Sequence, residues 1–226
     1  MHTRTVETDI YSFAELSPEA QQRALENASK AASEGWDSDS AECVYADAAT
    51  MAAHLGFDIR QRRVNLMGGG HRYEPQIYYS GFCSQGDGAC CEGTWRAADC
   101  NAAALKAAAP LDTELHGIAE QFAAVAALYP DASFSVKHRG HYYHSGCTEF
   151  DIDSGIERAT DENSERDDEF HERHGAAEDL KDAARSFMDW IYSQLEKEYE
   201  YLTGEECARE YCENAGEVFD ADGNLA

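Results

Sequence analysis

The sequence predicts an α+β protein with helices packed on one face of a mainly antiparallel sheet of about five strands. Apolar residues recur at helical spacing near both ends of the 226-residue chain, whereas apolar and polar residues alternate through most of the middle. Clusters of glycine separate the alternating segments, as they do between neighbouring antiparallel strands. Hydrophobic residues make up 43% of the chain, which is enough for a core. We therefore expect one domain over residues 1–226 that includes a long, acidic C-terminal helix.

The predicted helices are marked by their ends as well as by their periodicity. Ser17 is a good N-cap and Pro18 suits the first helical position, so the first helix is expected from Pro18 to about Ser33. A short strand over Thr5–Phe13 is expected before it. The other predicted helices cover Ser40–Leu55, Asn101–Ala109, Asp112–Leu128, Ala176–Leu202 and Glu205–Cys212.

Alternation of period two predicts the strands. They are Phe57–Met67, Gln76–Phe82, Cys90–Arg96, Ala132–Arg139 and His141–Asp153, with a further short strand at the C-terminus. Residues 154–175, in contrast, are acidic and almost without apolar side chains. We expect a solvated loop or a frayed helix start there, within the single domain.

The net charge of −26 limits the classes of function. It comes from 44 acidic and 18 basic residues, so we expect no direct binding of nucleic acid and a basic partner instead. Residues 149–226 carry 25 acidic and 7 basic residues. Two interpretations remain open: the carboxylates are an adaptation to high salt, or they form the working surface of the protein.

The distribution of apolar residues indicates the cellular compartment of the protein. No apolar run approaches the ~20 residues of a membrane-spanning helix, and the first residues lack the apolar stretch of a signal peptide. Both observations predict a cytoplasmic protein with no membrane partner. In that compartment most of the eight cysteines are expected to be reduced and structural.

An acidic stripe on the long C-terminal helix is the first candidate site. At 100° per residue its members fall within about 40° of one another, opposite the apolar face, and lie roughly 6–10 Å apart along the axis. That spacing is comparable with the ~3.4 Å repeat of phosphates along one DNA strand. The stripe therefore suggests mimicry of a nucleic acid, although a solvated helix face has the same pattern. It consists of Glu178, Asp182, Asp189, Glu196 and Glu200.

The second candidate is a ligand site between a glycine-rich hairpin and a segment rich in histidine and tyrosine. A hairpin turn that needs a positive φ at Gly86 and Gly88 would explain these glycines without a ligand. As an alternative, the two segments together form a small-molecule or catalytic site. Its residues are then Gln85, Asp87, His141 and Tyr143.

The glycine-rich hairpin and the segment rich in histidine and tyrosine also contain residue types that bind zinc. Several histidines close to Cys147 suggest zinc, but on a strand His141 and His144 point to opposite faces, and no second cysteine pair completes four ligands. We therefore expect no metal and no cofactor. Whether Cys83, Cys90, Cys91 or His141 and His144 bind a metal stays open.

Several segments resemble a family of bacteriophage and mobile-element proteins that are often labelled antitoxins of toxin–antitoxin stability systems. They are Tyr78–Cys91, Leu111–His116, Val136–His144, Trp190–Tyr192 and Leu195–Leu202. The resemblance implies an accessory protein that acts on host machinery. With the acidity, it leads us to expect a non-enzymatic inhibitor of a basic host protein or nucleoprotein complex, of the anti-CRISPR or anti-restriction type, or an antitoxin neutralising a basic toxin.

Overall fold

The computed structural model describes residues 9–37, 39–153 and 167–226, with side chains for 9–37, 39–152 and 175–226. The described helices are α1 (Pro18–Glu34), α2 (Glu42–Leu55), α3 (Ala102–Ala108), α4 (Thr113–Leu128), α5 (Asp167–Thr203) and α6 (Glu205–Asn214). The described strands are β1 (Phe57–Ile59), β2 (Gln61–Asn65), β3 (His71–Pro75), β4 (Ile77–Ser80), β5 (Gly88–Cys91), β6 (Gly93–Arg96), β7 (Ser133–His138) and β8 (Thr148–Asp153). These elements confirm the predicted α+β class.

The described residues form two compact units. The central unit is Glu42–Gln194, and the terminal unit combines Met1–Ala41 with Leu195–Ala226. The prediction of a single domain over residues 1–226 stays a prediction.

Local capping explains why the helices begin where the sequence predicts. The hydroxyl of Ser17 accepts a hydrogen bond from the backbone N–H of Ala20 at the start of α1. Asn101 and Asp112 accept the corresponding bonds at α3 and α4. Each side chain satisfies a backbone donor that a helix leaves unpaired in its first turn. The first residue of α5, Asp167, precedes its predicted start by nine residues.

The first six strands are the halves of three longer segments that exchange partners at one point. β1 pairs with β6, β2 with β3, and β4 with β5, all antiparallel. The segments change partner at Arg60, Gln76 and Glu92. The N–H of Arg60 donates to the carbonyl of Glu92, Glu92 donates to Gln76, and Gln76 donates to Arg60, at 2.7–3.0 Å. This closed ring of three hydrogen bonds, the cyclic junction, leaves no backbone group unpaired where the sheets separate.

The largest sheet of the central unit has the order β1-β6-β7-β8. One face is aromatic: Trp95 stacks on Phe134 with 5.6 Å between ring centroids, and Phe122 of α4 and Phe187 of α5 contact this cluster. The indole N–H of Trp95 donates to the carbonyl of Leu55, so its polar atom is satisfied inside the core. The opposite face is polar, which confirms that helices cover one face of the sheet.

The terminal unit has its own core between α1 and α6. It consists of Phe13, Leu16, Ala20, Ala24, Leu25, Ala208, Cys212 and Phe219. Tyr11 and Phe219 exchange backbone hydrogen bonds of 2.8 and 2.9 Å. These bonds form an isolated bridge where strands were expected at both termini. Residues 5–8 of the predicted strand Thr5–Phe13 lie outside the described residues.

Several strand predictions are wrong in their details. Phe57–Met67 is interrupted at Arg60, since the chain changes sheet there. β3 was not predicted because its charged residues obscure the alternation. His141–Cys147 is a loop, and β8 begins only at Thr148. Of the acidic segment at residues 154–175, 154–166 lie outside the described residues, and 167–175 belong to α5.

Candidate functional site

The five carboxylates of the predicted acidic stripe divide between the two units. Glu178, Asp182 and Asp189 belong to the central unit, where all three are exposed. Leu180 and Phe187 on the opposite side of α5 are fully buried. This arrangement follows from helical geometry, because residues separated by half a turn face in opposite directions.

Two of these carboxylates in the central unit have cationic neighbours on the same helix. Glu178 lies 2.8 Å from Lys181, and Asp182 lies 3.3 Å from Arg185. The Asp182 side chain is still 73% exposed, so water screens this pair and leaves the carboxylate open to a partner. Asp189 is exposed and has no ion pair within the described part of the chain.

The terminal unit contains Glu196 and Glu200, the first half-buried and the second exposed. It is the more densely charged unit, with 18 acidic and 5 basic residues among 73, against 26 and 13 among the 153 residues of the central unit. Each unit therefore has a net charge of −13. The terminal unit carries this charge on about half as many residues as the central unit.

The glycine-rich hairpin connects β4 and β5 as predicted. Gly86 has a φ of +97°, which confirms the expected turn chemistry at that position. The carboxylate of Asp87 accepts hydrogen bonds from the N–H groups of Cys83 and Ser84, at 3.0 and 2.6 Å. Asp87 thus organises the turn itself.

Gly88 is required for a different reason from the one predicted. It lies in β5 and its φ is not positive. A Cβ atom at this position would be 2.5 Å from the Cβ of His144, so the glycine allows the hairpin and the 139–147 loop to approach closely. The prediction of a positive φ at Gly88 is wrong. The position requires glycine because the neighbouring loop packs too closely for a Cβ atom.

The structure brings the two predicted segments of the ligand site together. A Cβ atom added at Gly86 of the hairpin would lie 3.4 Å from the Tyr142 ring, so the hairpin and the 139–147 loop run close together. Tyr143 stacks on Tyr78 with 5.5 Å between ring centroids, and the His138 ring lies 4.9 Å from Tyr143. These contacts form an aromatic cluster at the protein surface, since Tyr142 and Tyr143 are exposed.

The four residues of the predicted ligand site have unequal roles in this arrangement. Tyr143 belongs to the aromatic cluster, and Asp87 is committed to the turn. Gln85 and His141 are exposed, with the His141 ring 5.1 Å from the Tyr142 ring. The prediction that His141 and His144 alternate on a strand is wrong, because both lie in the loop between β7 and β8.

Charged residues surround the cyclic junction next to this cluster. Arg60 lies 3.1 Å from Glu92, and the carboxylate of Glu74, which is nearly buried, binds Arg62 and Arg72 at 3.0 and 2.6 Å. A buried carboxylate needs such partners to remain ionised. Arg60, Arg62 and Arg72 are therefore all paired with carboxylates inside the central unit.

Thiol groups lie beside the same cluster. The Nδ1 atom of His144 accepts a hydrogen bond from the N–H of Gly146, so a neutral ring carries its proton on Nε2, 3.5 Å from the Cys147 sulfur. Burial raises the pKa of Cys90 to about 12, with smaller effects from Cys147 and Glu92. Burial likewise raises the pKa of Cys91. These buried thiols are therefore protonated at neutral pH and unreactive.

The described residues show neither a cluster of metal ligands nor a membrane-spanning helix. Within the described parts of the chain, no group of three or more His, Cys, Asp or Glu side chains is arranged to hold a metal ion. Every described helix is too short or too polar to cross a lipid bilayer.

An apolar cleft in the terminal unit has no counterpart in the sequence-based predictions. Its volume is about 410 Å³. Its lining comes mainly from α1 and α6, with further residues from the segments that follow each of these helices and from the end of α5. The lining residues are Ala24, Asn27, Ala28, Ala31, Ala32, Gly35, Trp36, Ser40, Leu202, Cys207, Ala208, Tyr211, Cys212, Phe219, Gly223 and Leu225.

These features define an acidic α+β protein with separate charged, aromatic and apolar surfaces. The chain belongs to the family defined by the domain of unknown function DUF8835, whose profile matches residues 41–205. The match contains the whole central unit, whereas α1 lies outside it. No curated protein and no solved structure matches the chain.

Proposed function

We propose that the protein is a non-enzymatic inhibitor that binds a basic protein or nucleoprotein complex through its acidic surface. The observation that carries the proposal is the exposed carboxylate face of α5 in the central unit, formed by Glu178, Asp182 and Asp189. Lys181 and Arg185 neutralise it only in part, because exposed pairs of this kind contribute little.

The partner class follows from electrostatics. A protein of charge −26 repels nucleic acids and anionic lipids, and it attracts the basic surfaces that normally bind them. The proposed setting is the cytoplasm of a host cell, where a phage or similar element gains by blocking a nucleic-acid-binding defence complex or a basic toxin. Both forms of the proposal use the same acidic face.

The test is affinity capture from a host lysate with two variants of equal charge. Asp182→Lys with Asp189→Lys reverses the proposed face, and Asp47→Lys with Asp131→Lys reverses two exposed aspartates elsewhere in the central unit. We expect the wild type and the control variant to retain a basic protein that salt or added DNA releases. The α5 variant should lose it, because both of its substitutions lie on the binding face.

Adaptation to high salt gives a different result in the same experiment. In that case both variants behave like the wild type in capture, and both become more stable at low ionic strength as self-repulsion falls. Equal capture by the two variants would refute the proposed function.

A second candidate function is the binding of a small polar ligand at the aromatic cluster. Three side-chain atoms near it are buried without a hydrogen-bond partner in the described structure: Arg62 Nε, Gln76 Oε1 and Ser80 Oγ. Buried polar atoms are normally satisfied, so a ligand or ordered water at this position would remove the deficit. Quenching of tyrosine fluorescence on adding a ligand, abolished by Tyr143→Ala, would favour this function.

A further inference from the structure

The apolar cleft of the terminal unit combines a buried floor with an exposed rim. Ala24, Ala208 and Phe219 form part of the floor and are almost inaccessible to water. At the rim, Tyr211 is 44% exposed and Leu225 is 57% exposed. A volume of about 410 Å³ lies within the roughly 300–1,000 Å³ of typical binding sites. The cleft is therefore large enough to receive several side chains.

Carboxylates flank this apolar surface. Glu206 and Glu210 precede the lining residues Cys207 and Tyr211 on α6, and both are exposed. Neither has an ion pair among the described residues, whereas Arg209 between them pairs with Glu205 at 2.9 Å. Glu210 lies three positions after the lining residue Cys207 and is therefore its neighbour on the solvent side of α6, and Glu206 lies one turn before Glu210 on that side.

The negative charge of these carboxylates raises the pKa of a neighbouring tyrosine. The carboxylate of Glu210 raises the pKa of Tyr201, with smaller contributions from Cys207, burial, Glu206 and Glu198. Tyr201 directly precedes Leu202, which lines the cleft. The cations of α1 offer little compensation, since Lys30 pairs with Glu34 at 3.8 Å and Arg23 pairs with Asp222 at 3.6 Å.

We propose that this cleft receives the apolar face of a cationic amphipathic helix that belongs to the partner protein. The inference rests on the proposed function, since it takes the partner to be basic, and it adds where on the terminal unit one segment of that partner binds. Apolar side chains of such a helix, spaced at i, i+3, i+4 and i+7, fill a groove between two helices. Its Lys and Arg residues then face the carboxylates at the rim.

Charge selects this occupant over two others. A second copy of the chain would bring another −26 charges to the same surface, and like-charge repulsion opposes that contact. A neutral small molecule would fill the cleft without using Glu206 or Glu210. An apolar helix face with basic flanks matches both the lining and the rim.

The test uses a fluorescent peptide of Leu and Lys, about 14 residues or four helical turns long, with Leu at the four anchor spacings. Two matched peptides replace every Leu by Ala, or every Lys by Glu. We expect the Leu/Lys peptide to bind the full-length protein at least about tenfold more tightly than either matched peptide, by fluorescence anisotropy. Equal binding of the Leu/Lys and Ala/Lys peptides overturns the inference, because the cleft is then unused.

Two variants of α1 locate the binding site. Ala31→Trp places a large side chain at the opening of the cleft, and Gln22→Trp places the same side chain half a turn away on the other side of the helix. We expect at least about tenfold weaker peptide binding for Ala31→Trp and no change for Gln22→Trp. Because Ala31 is exposed, the variant should fold, and its far-UV spectrum checks this. Equal affinity of the two variants overturns the inference.

Other outcomes also decide the matter. Binding of the neutral dye N-phenyl-1-naphthylamine that the Leu/Lys peptide does not displace would assign the cleft to a small apolar ligand and overturn the inference. Dimerisation of the wild type that Ala31→Trp abolishes would assign it to a second copy, with the same consequence. If Ala31→Trp retains the captured basic partner while the α5 variant loses it, the inference fails and the proposed function stands.

Discussion

Replacing Gly88 by alanine tests the contact between the glycine-rich hairpin and the 139–147 loop. The new Cβ would lie 2.5 Å from the Cβ of His144 and 2.9 Å from its Cα. Carbon atoms prefer separations of about 3.5–4.0 Å, so the loop has to move by about 1 Å. Overpacking of this kind costs about 1–3 kcal/mol. Since 1 kcal/mol shifts Tm by about 2–4 °C in a protein of this size, we expect Tm to fall by about 2–12 °C.

The assay is thermal unfolding followed by circular dichroism, with thiol labelling at 25 °C as a second measurement. Because His144 covers the sulfur of Cys147 at 3.5 Å, movement of the loop should speed the labelling of Cys147. Gly117→Ala is the matched control: Gly117 lies in the interior of α4 with nothing near its missing Cβ. That change should stabilise the protein by about 0.5–1 kcal/mol. The reasoning is refuted if Gly88→Ala melts at or above the wild-type Tm while Gly117→Ala behaves as expected.

Two further predictions concern groups of the central unit that are partly or fully buried. Asp112 caps α4 through Leu115 and also accepts the indole N–H of Trp190 at 2.8 Å. Asp112→Ala should therefore lower the free energy of unfolding, measured in urea, by about 2–4 kcal/mol. Asp112→Asn keeps an acceptor oxygen and should lower it by less. Equal losses for the two variants would contradict this account. The raised pKa of Cys90 means that its thiol contributes stability below the ordinary pKa of 9.0, and that this contribution is lost as the pH rises from 9.0 towards about 12. Cys90→Ala should make the unfolding free energy less dependent on pH in that range, and an unchanged slope would show that Cys90 is not the group responsible.

Local signals in the sequence were sufficient for the helices. Ser17 acts as the N-cap that was predicted, and Asn101 and Asp112, the expected first residues of two helices, cap α3 and α4. The buried residues of α5, including Leu180 and Phe187, lie on the predicted apolar face, opposite the acidic stripe. Capping and helical periodicity depend on residues within a few positions of one another, so one sequence contains the information.

The strands were harder to predict because their partners are distant in the sequence. Nothing near Arg60 indicates that its N–H donates to Glu92, 32 residues later. The interruption at that position is therefore invisible without the pairing partner. β3 is a strand because β2 pairs with it, although its charged side chains weaken the alternation. Pairing with a partner outweighs local propensity at such positions.

The candidate sites show the same division. Helical geometry was enough to place Asp182 and Asp189 on the exposed face of α5. The apolar cleft was missed because its walls come from α1 and α6, more than 150 residues apart, and small residues such as Ala28 and Ala31 gave no distinctive pattern. The close approach of Gly86 to Tyr142 likewise depends on two loops that only the folded chain brings together.

The cyclic junction has a consequence for which changes of length the chain can accept. Each of the three segments that meet at Arg60, Gln76 and Glu92 has one partner before the junction and another after it. An inserted residue inside any of them would shift the side chains of one half to the opposite face and would misalign the hydrogen-bond ring. The turns at residues 68–70 and 84–86 connect neighbouring strands and lie outside the three paired segments. Insertions and fused tags should therefore be tolerated at residues 68–70, where an added Cβ would meet no atom within 4 Å, and rejected inside the three paired segments.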